Sequence, residues 1–408
     1  MRRVVITGMA QVSPLGINRQ DAFERLMKLK NCVKYMPELE VFTRLNTKLA
    51  APADKFVIPE HYTRKELRTM GRVAIMSVVT AEEALKDAGL FGDEIITNGQ
   101  TGVSYGSSSG SLESIIDFYS MMEKKEVRTL TSGSYVKMMP QTSAVNISLY
   151  FKTTGRLIPA STACTSGAMG IGYGYEAIKN SYADVMIAGG ADELHPTQIA
   201  IFDTLYATSQ KNDTPELTPS PFDKNRDGLV IGEGAGTVIL EEYEHAKKRG
   251  AKIYAEVLGF GTSTDGTHIT SPNREKMKTA LELALKDADI SPDKIGYVNA
   301  HGTATIQGDS AESNATYEVF KRNVPVSSIK SYTGHTLGAC GAIEAILTID
   351  MAKHKWFCPT LNLNVVDEEC GKLDYIKNSG REINSDIVMS NNFAFGGINT
   401  SLIFKVFS

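Results

Sequence analysis

The sequence lacks the features that mark several classes of protein. It has five cysteines among 408 residues, and they are scattered, odd in number and without a CxxC pair. A disulfide framework and a structural zinc site are therefore not indicated. The seven histidines form no HExxH arrangement, which is the common signature of zinc hydrolases. We expect no metal in this protein.

Charge of one sign and long apolar runs are equally scarce. A net charge of −4 and a pI near 6.0 give no electrostatic case for nucleic acid as the main partner. No run approaches the roughly 18 apolar residues of a membrane span, and the first residues lack the apolar core of a signal peptide. We expect a cytoplasmic protein without a membrane span. The 42% hydrophobic content and 35 glycines are typical of an α/β protein.

One stretch, Ser161 to Gly170, concentrates the candidate chemistry. Cys164 lies between an apolar run at 155–160, which predicts a strand, and apolar positions such as Ile171 and Tyr175 at helical spacing. The N-terminus of a helix stabilises a thiolate, so we expect a thiol pKa lowered from about 8.5 towards neutrality. Glycines in this helix predict close packing against other backbone. The cysteine is the candidate nucleophile, and a buried structural cysteine is the alternative.

The chain repeats itself. Residues 164–170 align with residues 335–341 through shared Thr, Gly, Ala and Gly positions, and the predicted strand at 101–106 resembles residues 297–302. A duplicated α/β unit predicts two pseudo-symmetric halves whose equivalent helix N-termini face one another. The cysteine and the histidine that open the two aligned segments should then lie in one site.

A charged, helical segment from Glu241 to Gly250 separates the halves. We therefore assign residues 1–250 to an N-terminal half and residues 251–408 to a C-terminal half. The glycine-rich stretch 228–240 could hold a phosphate or form a tight turn within the core.

Two histidines complete a candidate constellation in the second half. His301 and His335 each follow a predicted strand end, and Lys330 adds a nearby cation. A cysteine suits acyl-thioester formation, because a thiolate attacks a carbonyl and later leaves readily. Two neutral histidines that donate to one oxygen would stabilise an enolate, such as the one formed when a malonyl thioester loses carbon dioxide.

The motifs around these residues resemble those of the β-ketoacyl-acyl-carrier-protein synthases, condensing enzymes of the thiolase superfamily. The resemblance is greatest to the elongating type II synthases with a Cys-His-His triad, and it covers nearly the whole chain. It implies a thiolase-like, duplicated five-layer αβαβα fold. The motifs are Thr-Ala-Cys-Thr-Ser-Gly at 162–167, Asn-Ala-His-Gly-Thr-Ala-Thr at 299–305, Lys-Ser-Tyr-Thr-Gly-His at 330–335 and Asn-Phe-Ala-Phe-Gly-Gly-Ile-Asn at 392–399.

The resemblance also implies the reaction, a decarboxylative Claisen condensation in fatty acid biosynthesis. An acyl chain moves from the phosphopantetheine arm of an acyl carrier protein to Cys164, and malonyl-carrier protein then loses carboxylate while His301 and His335 hold its thioester oxygen. The product is a 3-oxoacyl-carrier protein two carbons longer, and no cofactor is needed beyond the carrier. The backbone N–H groups of Cys164 and Phe395 are implied to form the oxyanion hole, and Phe395 to gate the site.

Further roles follow from the same resemblance. Lys330 would support the site, held by Glu312, although an ordinary ion pair is the alternative. The residues implied to bind substrate are Thr270, Thr303, Thr305, Phe202 and Ser109. Two basic clusters stand apart from the resemblance and are either solvated faces or docking surfaces for an acidic partner that carries the substrate, here the carrier protein. Their residues are Lys65, Arg68, Lys124, Lys125 and Arg128.

Some positions depart from the family pattern. Ser109 replaces a bulky aliphatic residue at the pocket end, and Tyr206 replaces an arginine that often meets the carrier protein. Ala394 and Ile398 replace a glycine and a threonine in the gate loop. These changes predict a more polar acyl pocket, so a dedicated polyketide or polyene-type synthase with its own carrier protein is an alternative.

Other members of the superfamily fit less well. A degradative thiolase needs a second catalytic cysteine where this chain has His335, and initiating or chalcone-type synthases carry Asn in place of the second histidine. A non-catalytic chain-length factor lacks the nucleophile. The family implies a dimer with a sheet continuous across the interface, expected as a homodimer, with a heterodimer with a paralogue as the alternative.

Overall fold

Apolar runs in both halves form the strands of one large mixed sheet, and two pairs of short strands form separate small sheets. The computed structural model describes residues 1–128 and 130–407. The strands are β1 (Val4–Val12), β2 (Lys34–Tyr35), β3 (Leu49–Ala50), β4 (Thr101–Gly106), β5 (Leu157–Pro159), β6 (Val185–Asp192), β7 (Gly234–Glu242), β8 (Ala255–Thr264), β9 (Tyr297–Asn299), β10 (Pro325–Ser327), β11 (Trp356–Phe357), β12 (Asp374–Tyr375), β13 (Arg381–Glu382), β14 (Ile387–Ala394) and β15 (Ile398–Val406).

Helices flank and divide this sheet. They are α1 (Arg19–Met27), α2 (Arg64–Leu67), α3 (Arg72–Asp87), α4 (Ile115–Lys124), α5 (Ser132–Met138), α6 (Thr142–Phe151), α7 (Ser166–Lys179), α8 (Pro196–Thr204), α9 (Tyr243–Lys248), α10 (Arg274–Ala288), α11 (Ile306–Phe320), α12 (Lys330–Thr333) and α13 (Cys340–Lys353). Within the two described ranges, no helix combines the length and hydropathy needed to cross a bilayer.

The strand order confirms the duplication. The main sheet runs β12-β10-β9-β14-β15-β8-β1-β7-β6-β4-β5. Strands β1 and β8 pair antiparallel at its centre, where Val4 lies opposite Val257, and they join the two halves. Outward from this pair, β7-β6-β4-β5 in the first half corresponds to β15-β14-β9-β10 in the second. The predicted strand repeat at 101–106 and 297–302 falls on the equivalent strands β4 and β9.

The helices complete five layers. Helices α3 and α6 cover the outer face of the first half, and α10 and α11 cover the outer face of the second. Helices α7 and α13 lie between the two halves in the largest hydrophobic core. The fold is therefore the predicted thiolase-like αβαβα arrangement, and its central layer holds the helices that begin beside the candidate site.

The glycines of α7 are explained by close packing. A Cβ atom on Gly170 would lie 2.3 Å from the carbonyl oxygen of Gly189 on β6, and one on Gly167 would lie 2.8 Å from the backbone nitrogen of Ala342 on α13. Each glycine costs about 1 kcal/mol of helix propensity relative to alanine. Burial of this helix between two sheet halves offsets that cost, and the predicted close approach of backbones is confirmed.

Candidate active site

Cys164 lies in a tight turn between β5 and α7. Ala163, immediately before it, has a φ of 51°, a left-handed conformation that costs a residue with a Cβ about 1–2 kcal/mol. The equivalent turn of the second half places Gly334, with a φ of 64°, immediately before His335. Both side chains thus project from left-handed turns at corresponding places in the two halves.

A cavity of about 350 Å³ joins Cys164 to both histidines, and it is called the first cavity below. His301 follows β9 as predicted, whereas His335 follows the short helix α12 and not a strand end directly. The ring centroids of the histidines are 5.2 Å apart, with ring planes at 87°. The structure therefore brings the three predicted residues into one site.

The thiol of Cys164 is less acidic than its position predicts. Burial raises its pKa to about 12, against the lowering effects of Lys330 and of the backbone N–H groups of Phe395 and Cys164. The prediction of a pKa near neutrality was wrong, because the side chain is only 5% exposed and lost hydration dominates. In the substrate-free site the sulfur of Cys164 is protonated. The two backbone N–H groups that lower its pKa belong to Phe395 and Cys164, the residues predicted to form the oxyanion hole.

Both histidines are held neutral. Burial, and after it the charge of Lys330, lowers the pKa of His301 and the pKa of His335 well below 6.5. The amide nitrogen Nδ2 of Asn392 lies 3.5 Å from Nδ1 of His301. Because that contact presents a donor to Nδ1, the ring proton belongs on Nε2. A neutral ring with one N–H is the form that donates to an oxyanion without carrying charge of its own.

We expect the ring NMR signals of His301 and His335 to remain those of neutral imidazole from about pH 8 to pH 6. The variants His301→Asn and His335→Asn identify which signal belongs to which ring. In the urea-unfolded chain the same rings should take up a proton near pH 6.5. The unfolded state then binds protons that the folded state does not, so these histidines favour unfolding increasingly as the pH falls below that value. Titration of either folded ring near pH 6.5 would contradict the prediction.

Lys330 has a different partner from the one predicted. Its Nζ lies 2.5 Å from Oε1 of Glu344, and both side chains are almost fully buried. Glu312 instead accepts the backbone N–H groups of His301 at 2.6 Å and Gly302 at 2.8 Å, and burial raises its pKa to about 8. The prediction that Glu312 holds Lys330 was wrong, since Glu312 fixes the loop that carries His301.

Phe202 and Phe395 stand between the first cavity and another one behind it. Their ring centroids are 5.2 Å apart, and both residues line both cavities, as does Cys164. The second cavity has a volume of about 300 Å³ and includes Ser109 and Gln198 in its wall. Three of the residues predicted to bind substrate line the first cavity, namely Thr270, Thr303 and Thr305.

The predicted docking cations lie elsewhere. Lys65, Arg68, Lys124, Lys125 and Arg128 are exposed, and among the described residues that line the two cavities there is no lysine or arginine. The first cavity opens instead among exposed apolar side chains, which are Leu205, Tyr206, Ile269 and Ile306. Docking through the five cations stays a prediction.

Asp192 is a residue of the site that the sequence reasoning missed. Its carboxylate accepts the backbone N–H of Gly338 at 2.6 Å and that of Ser108 at 3.0 Å, and burial raises its pKa to about 7. It thereby ties the loop after His335 to the wall of the second cavity. An acid at the end of the apolar strand β6 was the available signal.

Comparisons with known proteins extend over both halves of the chain. The family described as Beta-ketoacyl synthase, N-terminal domain, matches residues 1–246, and that described as Beta-ketoacyl synthase, C-terminal domain, matches residues 254–364. The 3-oxoacyl-(acyl-carrier-protein) synthase 2 of Vibrio cholerae serotype O1 is 39% identical over 412 residues, which span 99% of each chain.

Solved structures of related proteins also align with the whole of this chain. A Beta-ketoacyl synthase from Burkholderia phymatum STM815 is 54% identical, with 100% of each chain covered and a TM-score of 0.98. A chain of AntDE:AntF, in which a type II PKS acyl-carrier protein is in complex with its ketosynthase, is 29% identical, with 100% of each chain covered and a TM-score of 0.88.

Proposed function

The chain belongs to the β-ketoacyl synthase family, and we propose that Cys164, His301 and His335 carry out its condensing reaction. The protein is an acyltransferase of the 3-oxoacyl-(acyl-carrier-protein) synthase type, a condensing enzyme of fatty acid elongation. One observation carries the residue assignment: a cysteine at a helix N-terminus shares a single cavity with two buried histidines of lowered pKa.

The first step is acyl transfer. The sulfur of Cys164 attacks the carbonyl of an acyl thioester, the new C–S bond replaces the old one, and the thiol proton passes to the departing sulfur of the carrier arm. The backbone N–H groups of Cys164 and Phe395 act on the sulfur by lowering its pKa, and we assign them to the oxyanion of the tetrahedral intermediate. Burial of the thiol then favours the uncharged thioester over a thiolate.

The second step is condensation. The bond between the malonyl methylene carbon and its carboxylate breaks, carbon dioxide leaves, and the electron pair moves onto the thioester oxygen as an enolate. One N–H from His301 and one from His335 stabilise that oxygen. The enolate carbon attacks the acyl carbonyl on Cys164, the C–S bond breaks, and the departing thiolate of Cys164 takes up one proton from water.

The direct test is reconstitution with acyl-carrier protein and malonyl-carrier protein. We expect a 3-oxoacyl-carrier protein two carbons longer than the donor and one carbon dioxide for each turnover. Mass spectrometry measures the product, and a CO₂ assay measures the release. Saturated and conjugated donors are compared at equal length, because a dedicated polyene-type synthase would prefer the conjugated chain. Release of carbon dioxide without any elongated product would contradict condensation.

The carrier protein is the partner that this chemistry requires. The first cavity opens to the surface beside the exposed side chain of Ile306 and has Cys164, His301 and His335 in its wall, so an arm that enters there would reach the sulfur. The ketosynthase of AntDE:AntF, a relative over its full length, is in complex with an acyl-carrier protein. The reaction needs no further cofactor in this proposal.

The second partner is another copy of the chain. Strand β5 ends the main sheet, and within the described ranges it pairs with β4 alone. Apolar side chains are exposed along this edge, with Leu157 at 39% and Leu149 on α6 at 63%. A second β5 placed alongside would continue the sheet and cover these side chains. Analytical ultracentrifugation that found a single copy at micromolar concentration would contradict this, and dimers formed only with a paralogue would favour the heterodimer.

A further inference from the structure

The wall of the second cavity combines apolar and polar side chains. Leu112, Phe202 and Leu337 supply an apolar lining suited to methylene groups, whereas Ser109 and Gln198 add a hydroxyl and an amide. A cavity that receives only an alkyl chain gains nothing from polar groups in its wall, because each polar group that loses water there needs a partner.

The side-chain amide of Gln198 has a hydrogen-bond partner for its nitrogen and none, among the described residues, for its oxygen. Its side chain is nine-tenths buried, with 6% of the residue exposed, and its Nε2 donates to the Oγ of Ser109 at 3.3 Å. Its Oε1 is buried and has no partner among the described residues. The hydroxyl hydrogen of Ser109 likewise has no acceptor within the described part of the chain.

The pair therefore places the unpaired acceptor Oε1 beside two donor hydrogens, one on the Ser109 hydroxyl and the second one on Nε2. A hydroxyl group is the small substituent that both donates and accepts a hydrogen bond. A carbonyl group would satisfy Ser109 and leave Oε1 unmet, and an alkyl chain would leave both unmet. The Oε1 atom is already shielded from water, so a chain without a matching group leaves this amide oxygen unpaired.

We infer that Gln198 and Ser109 select an acyl chain that carries a hydroxyl group, held in the second cavity while its carbonyl is bound to Cys164. This inference rests on the proposed function, because it concerns the chain that Cys164 accepts. Selection by paired polar groups is strong where the site would otherwise be left unsatisfied, so we expect at least about a tenfold preference.

The test measures the rate of acyl adduct formation by intact-mass spectrometry, with carrier proteins that bear six-, eight- or ten-carbon chains with or without a terminal hydroxyl. The three lengths move the hydroxyl along the cavity. We expect at least one hydroxylated chain to react about tenfold faster than its unsubstituted counterpart. Gln198→Leu should remove this preference and Ser109→Ala should reduce it, whereas Thr204→Val, an exposed polar-to-apolar change on the same helix α8, should leave it unchanged.

The outcomes distinguish a failure of the hydroxyl inference from a failure of the proposed function. Equal rates for both kinds of chain at every length would overturn the hydroxyl inference and leave the condensing function supported. The same holds if the preference exists but survives in both Gln198→Leu and Ser109→Ala, with folding of each checked by circular dichroism. Absence of an adduct with every donor would overturn the proposed function and this inference with it.

Discussion

Replacing Cys164 with alanine is expected to abolish the acyl-enzyme adduct and to lower the rate of condensation at least about 10³-fold. In the proposed mechanism the acyl chain joins this sulfur, which lies in the turn between Ala163 and α7 and whose pKa the backbone N–H groups of Phe395 and Cys164 lower. Intact-mass spectrometry after incubation with an acyl-carrier protein measures the adduct directly.

The same variant should keep its ability to decarboxylate malonyl-carrier protein. Carbon dioxide loss needs donors to the enolate oxygen, and the proposed mechanism assigns this role to His301 and His335, which the substitution leaves in place. A matched control is Cys340→Ala, since the Cys340 thiol is equally buried and donates to the carbonyl oxygen of Cys164 at 3.2 Å. An adduct that persisted in Cys164→Ala, or vanished only in Cys340→Ala, would reassign the nucleophile.

The duplicated fold could be predicted from local patterns. The strands repeat as short apolar runs, and the aligned segments at 164–170 and 335–341 both begin at left-handed turns that open helices of the central layer. Equivalent segments of a duplicated unit adopt equivalent places, so the alignment was enough to bring Cys164 and His335 together. The strand order of the sheet then follows the same symmetry.

The electrostatics of the site could not be predicted in the same way. Lys330 lies fourteen residues from Glu344 and eighteen from Glu312, and sequence separation does not tell which carboxylate faces the amine. The thiol pKa depends on how completely the surrounding loops exclude water, which is a property of the packed structure. Asp192 accepts two backbone N–H groups from distant loops. Because nearly every residue has a backbone N–H, the sequence does not indicate which of them donate to a given carboxylate.

Replacing either His301 or His335 with alanine is expected to slow decarboxylation of malonyl-carrier protein about 10²- to 10³-fold, the usual effect of removing one donor to a developing oxyanion. The two rings are 5.2 Å apart, close enough to share one oxygen between them. Each is held neutral, so what the substitution removes is a hydrogen bond and not a charge. Release of carbon dioxide from malonyl-carrier protein alone measures this step.

Acylation of Cys164 should survive these substitutions, since the proposed mechanism assigns its oxyanion to the backbone N–H groups of Cys164 and Phe395. The cysteine variant should lose acylation and keep decarboxylation, whereas the histidine variants should do the reverse. A general loss of folding would lower both activities. His354→Ala, at an exposed histidine stacked on Phe23, is the control for loss of an imidazole. If His335→Ala abolished acylation and left decarboxylation intact, His335 would instead be the base that removes the thiol proton, and the enolate would depend on His301 alone.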